Sequence, residues 1–64
     1  MERVFTRWEL MRRSNSELKA MLEEITAVLP ALPLGSLERQ IALINRDNIR
    51  RELARREMAT DMFR

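Results

Sequence analysis

The sequence predicts an all-α protein, and within that class an antiparallel helical hairpin, from three observations. Its 64 residues contain one Gly and two Pro, and all three fall in one segment, Pro30-Ala31-Leu32-Pro33-Leu34-Gly35. On both sides of that segment the apolar residues recur at spacings of three and four, the period of a helix face. Nearly half the residues (45%) are hydrophobic, which with so few Gly and Pro fits a helical protein better than a β or disordered one. The whole of 1–64 reads as one helical-hairpin domain, with arm one about 3–29, a turn at 30–36 and arm two about 37–62.

Arm one carries Val4, Trp8, Met11, Asn15, Leu18, Leu22, Ile25 and Leu29, an alternating four-three spacing with a single polar member. That is a coiled-coil heptad seam. Ser14-Asn15-Ser16-Glu17 matches a capping box, a signal that a helix could restart there. The seam keeps phase across Ser14, which argues for one continuous helix.

The turn follows from proline chemistry. Pro disfavours helical backbone at the residue before it and cannot continue a helix, so arm one should end at Leu29. Gly35 supplies flexibility, Ser36 a good N-cap, and Glu38 a negative charge at the positive end of the next helix.

Arm two begins with Leu37, Ile41 and Ile44 as a second seam, continues through Asn48, Arg51 or Glu52, and Arg55, and turns apolar again at Met58, Ala59 and Met62. Folding the arms at the turn sets Leu29 opposite Leu37, Ile25 opposite Ile41, Leu22 opposite Ile44, and Trp8 opposite Met58 and Ala59. Asn15, Asn48, Arg51 and Glu52 then meet midway as a polar layer, the kind of layer that fixes register at a cost in stability.

A second stripe flanks each seam: Leu10, Met21 and Val28 on arm one, Ala42, Ile49 and Leu53 on arm two. A lone hairpin would leave these six residues in water. A chain this short also buries little of its own surface, and with no Cys and no His it has neither disulfide nor zinc to add. Both points predict a homodimer, two hairpins forming a four-helix bundle through the flanking residues, with Met21, Met58 and Met62 as adaptable contacts.

Chemistry is sparse. Without His or Cys the commonest general base and strongest nucleophile are missing. Glu23 and Glu24 are helix neighbours pointing in different directions, no Glu-x-x-His pair exists for a metal, and Gly35 alone makes no phosphate loop. No catalytic residue, cofactor or metal is therefore expected, and the chain is read as no enzyme.

Charge offers the main alternative. Eleven of the twelve basic residues are Arg, against ten acidic ones. Arg39, Arg46 and Arg50 share one helix face as a basic ridge, a candidate nucleic-acid contact. Asp47 and Glu52, each four residues before an Arg, favour ion pairs on the helix surface instead. Arg3, Arg7, Arg12 and Arg13 beside Val4, Phe5, Trp8 and Met11 resemble a membrane-surface helix, but the seam already uses three of those apolar residues. Phe5, off the seam, is a candidate anchor for a partner.

No segment approaches the roughly 20 apolar residues of a membrane span, and the charged N-terminus lacks a signal-like apolar run, so a cytoplasmic location without membrane contact is expected. The function expected is a small regulatory module that self-associates and binds a protein partner. The alternative is an RNA- or DNA-binding regulator working through the Arg ridge.

Overall fold

The computed structural model describes residues 3–62, with side chains through Ala59. The Met62 side chain assigned to the seam lies outside the described residues. Three α-helices carry the chain: α1 (Arg7–Met11), α2 (Asn15–Val28) and α3 (Leu37–Met62). A single 3-10 turn (Leu29–Ala31) follows α2. The fold is all-α.

The continuous first helix is overturned, and two capping boxes are the reason. Thr6 Oγ1 accepts the Glu9 N–H while the Glu9 carboxylate accepts the Thr6 N–H, starting α1. Ser14 and Glu17 repeat the arrangement and start α2. Each box satisfies amide groups that a helix start would leave without partners. Two such sites eight residues apart cut the arm into separate helices. The heptad phase across Ser14 therefore never operates.

The turn forms where its chemistry is strongest. Pro30 sits at the start of the 3-10 turn, and Gly35 takes a left-handed φ of 78° that an L side chain rarely adopts. Ser36 Oγ accepts the Arg39 N–H at 3.1 Å and caps α3. Arg39 Nη1 reaches back to the carbonyl of Leu29 at 2.8 Å, tying the start of the 3-10 turn to the first turn of α3.

Side-chain bonds fix the helix directions. Asn15 at the start of α2 meets Arg56, and Leu29 beyond its end meets Arg39, so α2 runs antiparallel to α3. Phe5 meets Asn45 and Leu10 meets Arg56, so α1 runs back alongside α3 in the parallel sense. The result is slender, 44 × 20 × 17 Å.

Leu10, Leu18, Ile25, Leu29, Ala42 and Ile49 form the buried core. Phe5, Met21, Leu22, Leu32, Leu43 and Leu53 pack around it. Each fully buried Leu or Ile contributes roughly 1.5–3 kcal/mol. Within α2 the seam residues Leu18, Ile25 and Leu29 do face inward. In α1 it is Leu10 that is buried, while Trp8 is 75% exposed.

On α3 the two apolar stripes are exchanged relative to the sequence reading. Ala42, Asn45, Ile49 and Glu52 are buried, whereas Leu37 is 70% exposed and Ile44 46%. Leu37 and Ile44, expected to seal the seam against Leu29 and Leu22, are thus left exposed rather than enclosed in the core. The two stripes lie about 100° apart on the helix. Polar partners decide between them. Asn45 and Glu52 on the buried stripe both find hydrogen-bond partners. Asn48 and Arg51 on the other stripe have none among the described residues.

Candidate functional site

Two regions on the outside of α3 carry functional potential: an apolar stripe near the turn and a basic cleft toward the other end. Between them and the core lies a polar knot that holds the elements in place.

The knot has two parts. Asn45, fully buried, accepts the Phe5 N–H through Oδ1 at 2.8 Å and donates through Nδ2 to the Arg3 carbonyl at 3.0 Å. It clamps the segment that leads into α1. Further along α3, Glu52 is 6% exposed and accepts from Arg55 Nη2 and Arg56 Nε, each at 2.8 Å. Arg56 then donates Nη1 to Asn15 Oδ1 at 2.7 Å and Nη2 to the carbonyls of Leu10 and Met11 at 3.1 and 3.3 Å. One guanidinium therefore joins the end of α1, the start of α2 and α3, and it places positive charge at the negative, C-terminal end of α1.

Burial raises the Glu52 pKa, but hydrogen bonds and charge from Arg55 and Arg56 outweigh it and leave the carboxyl below its usual range. The molecule is too slender to seat that carboxylate deeply; the two guanidiniums themselves cover it. At the N-terminal end Arg3 binds Glu9 through two contacts of 2.6 Å. The Arg3 hydrogen bond is the main cause that brings Glu9 down to about 2, with the Thr6 amide assisting. Glu17 is lowered chiefly by its hydrogen bond from Arg13.

These shifts share one sign. A carboxyl with a depressed folded pKa binds its proton less readily than in the unfolded chain, so acid favours unfolding. For Glu9 the contribution is complete above its ordinary 4.5 and disappears as pH falls toward about 2. Thermal melts followed by circular dichroism should show a midpoint that holds above that window and drops within it. A midpoint unchanged across the window would show that these pairs do not act in the fold.

The residues singled out in the sequence are distributed as follows. Leu10, Ala42 and Ile49, expected at a dimer interface, are enclosed in the core of a single chain, and Met21 and Leu53 pack against that core. Only Val28 of that set is exposed. Burial against the chain's own helices removes the first three from any contact surface.

Of the polar layer, Asn15 and Glu52 join through Arg56, while Asn48 and Arg51 line the cleft. The basic ridge is divided. Arg39 donates to the Leu29 and Leu32 carbonyls, Arg46 lies 3.5 Å from Asp47, and Arg50 is exposed without a partner among the described residues. Arg56 pairs with Glu52 as the four-residue spacing predicts, but its reach to α1 and α2, and the clamp formed by Asn45, are not anticipated by the sequence reading. Their signal was available: 42, 45, 49, 52 and 56 keep a three-four-three-four spacing of their own.

The stripe comprises Leu37, Ile41 and Ile44, continued past the turn by Leu34, which is almost fully exposed. The cleft has a volume of about 310 Å³ and is lined by Arg7 and Leu10 from α1 and by Asn48, Arg51, Glu52 and Arg55 from α3. Among the described residues no helix is long and apolar enough to cross a membrane, and no three acidic side chains gather to hold a metal. Comparison with family models, curated proteins and solved structures returns no match. Function must therefore be argued from this geometry.

Proposed function

We propose that the protein is a helical interaction module that self-associates and docks a protein partner. The observation that carries this reading is the outward apolar stripe of Leu34, Leu37 and Ile44, with half-buried Ile41 between them, at the turn end of α3. Scattered exposed apolar residues are ordinary, but a contiguous patch of large ones marks a contact surface.

Self-association begins at this stripe rather than at the flanking residues. Two copies joined stripe to stripe bring four long helices together, α2 and α3 of each, in the manner of a four-helix bundle. The residues that spoil a dry contact, Arg51 and Arg55, lie two to three turns further along α3 and stay outside it.

Sedimentation velocity over a micromolar concentration series tests the proposal. The native chain should sediment faster as concentration rises, and Ile44→Asp should remain a monomer with unchanged helix content. A native chain that stays monomeric throughout the series would refute self-association.

A further inference from the structure

The cleft between α1 and α3 is chemically unlike the stripe, and only one of its three cations is used by the fold among the described residues. Arg7 and Arg51 line it without a hydrogen bond or ion pair among the described residues. Arg55 lines it too, held by Glu52 through Nη2 alone, with half of its side chain exposed. A guanidinium has five N–H donors, so Arg55 keeps Nε and Nη1 for a ligand while Glu52 fixes its position. Three guanidiniums thus converge on one concave site whose single carboxylate is already bonded to Arg55 and Arg56.

We propose that this cleft receives the carboxylates of an acidic helical segment on a protein partner. The inference rests on the reading of the chain as a protein-binding module and names the chemistry of the partner. Arg fits carboxylate through paired N–H donors, and pre-positioned donors lose little entropy on binding.

The spacing selects the ligand. Arg51 and Arg55 are four residues apart, one helical turn, about 6 Å along α3. Glu residues four apart on a helix laid beside α3 repeat that distance, as in the charge pairs that flank coiled-coil seams. Apolar residues of the same ligand meet Met11, which is exposed and lies beside Arg55 at the end of the cleft.

A nucleic-acid backbone fits less well. It offers nothing to the exposed Met11, which an amphipathic helix covers. A second copy of this chain fits less well still, since its own cleft presents the same three cations.

The test uses calorimetric titration of the full chain with a synthetic Glu/Leu amphipathic helix peptide, its Gln/Leu counterpart, and a duplex RNA. The Glu peptide should bind, more weakly as salt rises, and the Gln peptide should not. Arg7→Gln and Arg51→Gln should each weaken the Glu peptide by about tenfold, the value of one charge-assisted contact. Neither residue has a partner among the described residues, so circular dichroism should report an intact fold. Arg50→Gln, on another face of α3, should bind as the native chain does.

Equal binding of the Glu and Gln peptides, or indifference to Arg7 and Arg51, would overturn the proposal. So would tighter binding of the RNA with the same Arg dependence, which would assign the cleft to nucleic acid. Repeating the titration on Ile44→Asp separates the two readings: a monomer that still binds the Glu peptide keeps the cleft proposal while removing self-association.

Discussion

Replacing Ile49 by Ala should lower stability by about 2–5 kcal/mol, the cost of a cavity left by a large buried aliphatic residue. Ile49 is fully buried on the inner face of α3. Domains of this size sit at the low end of a total stability of about 5–15 kcal/mol, so a large share of the native population would be lost. Ile44→Ala, on the outer stripe, should shift stability by about 0.5 kcal/mol or less in dilute solution. Urea midpoints of the two variants decide which α3 stripe faces inward. If Ile44→Ala costs more than Ile49→Ala, the stripes have been assigned the wrong way round.

Arg56→Ala should be the most damaging surface-derived change. It removes the donor to Glu52, Asn15 and the last carbonyls of α1 at once, and leaves Glu52 covered with one cation instead of two. Hydrogen bonds from a charged group are worth about 1.5–3 kcal/mol, and the freed carbonyls regain water, so a loss near that range is expected for the set. Lys should not rescue it, because a compact ammonium cannot serve acceptors spread across a planar fork. The effect should be local. A five-residue helix is not stable alone and depends on tertiary anchoring. Amide exchange at residues 7–11 should accelerate far more than in the centre of α2 or α3. Uniform acceleration would mean that Arg56 acts on the whole fold and not on the joint between helices.

The helical class was legible because few Gly and Pro, gathered in one place, leave long periodic segments on each side. The turn was legible for the same reason, with Ser36 capping α3 through the chemistry that Gly35-Ser36 announces. The break in the first arm was half legible. Ser14-x-x-Glu17 was visible, but its twin Thr6-x-x-Glu9 was not weighed, and only the pair together overrides the heptad phase. The inner face of α3 was not legible from apolar pattern, since both of its stripes contain Ile and Leu. What separates them is whether Asn45 and Glu52, or Asn48 and Arg51, find partners. Asn45's partners are backbone groups of residues 3 and 5, and Glu52's are Arg55 and Arg56, the second of which is held by Asn15 and by the carbonyls of Leu10 and Met11, so both depend on the first segment having folded back.

The same logic explains the candidate site. Arg7, Arg51 and Arg55 are 44 and four residues apart in sequence and meet only because α1 returns along α3. A helix-wheel analysis of α3 alone finds Arg39, Arg46 and Arg50, whose charges the fold partly uses for itself. The cations left for a ligand are those that the knot places or leaves alone.

The central claim is that the first segment folds back, so that one chain closes its own core and leaves the Leu37–Ile44 stripe outside. Spin labels on Val4→Cys and Ile44→Cys test it most directly, because both positions are substantially exposed and their neighbours Phe5 and Asn45 are bonded at 2.8 Å. A continuous first helix would carry residue 4 to the far end of α3, about 27 Å from residue 44 at 1.5 Å per residue. In dilute solution the labels should show strong short-range dipolar coupling. A distance near the longer value would contradict the folded-back arrangement, and with it the assignment of both the stripe and the cleft.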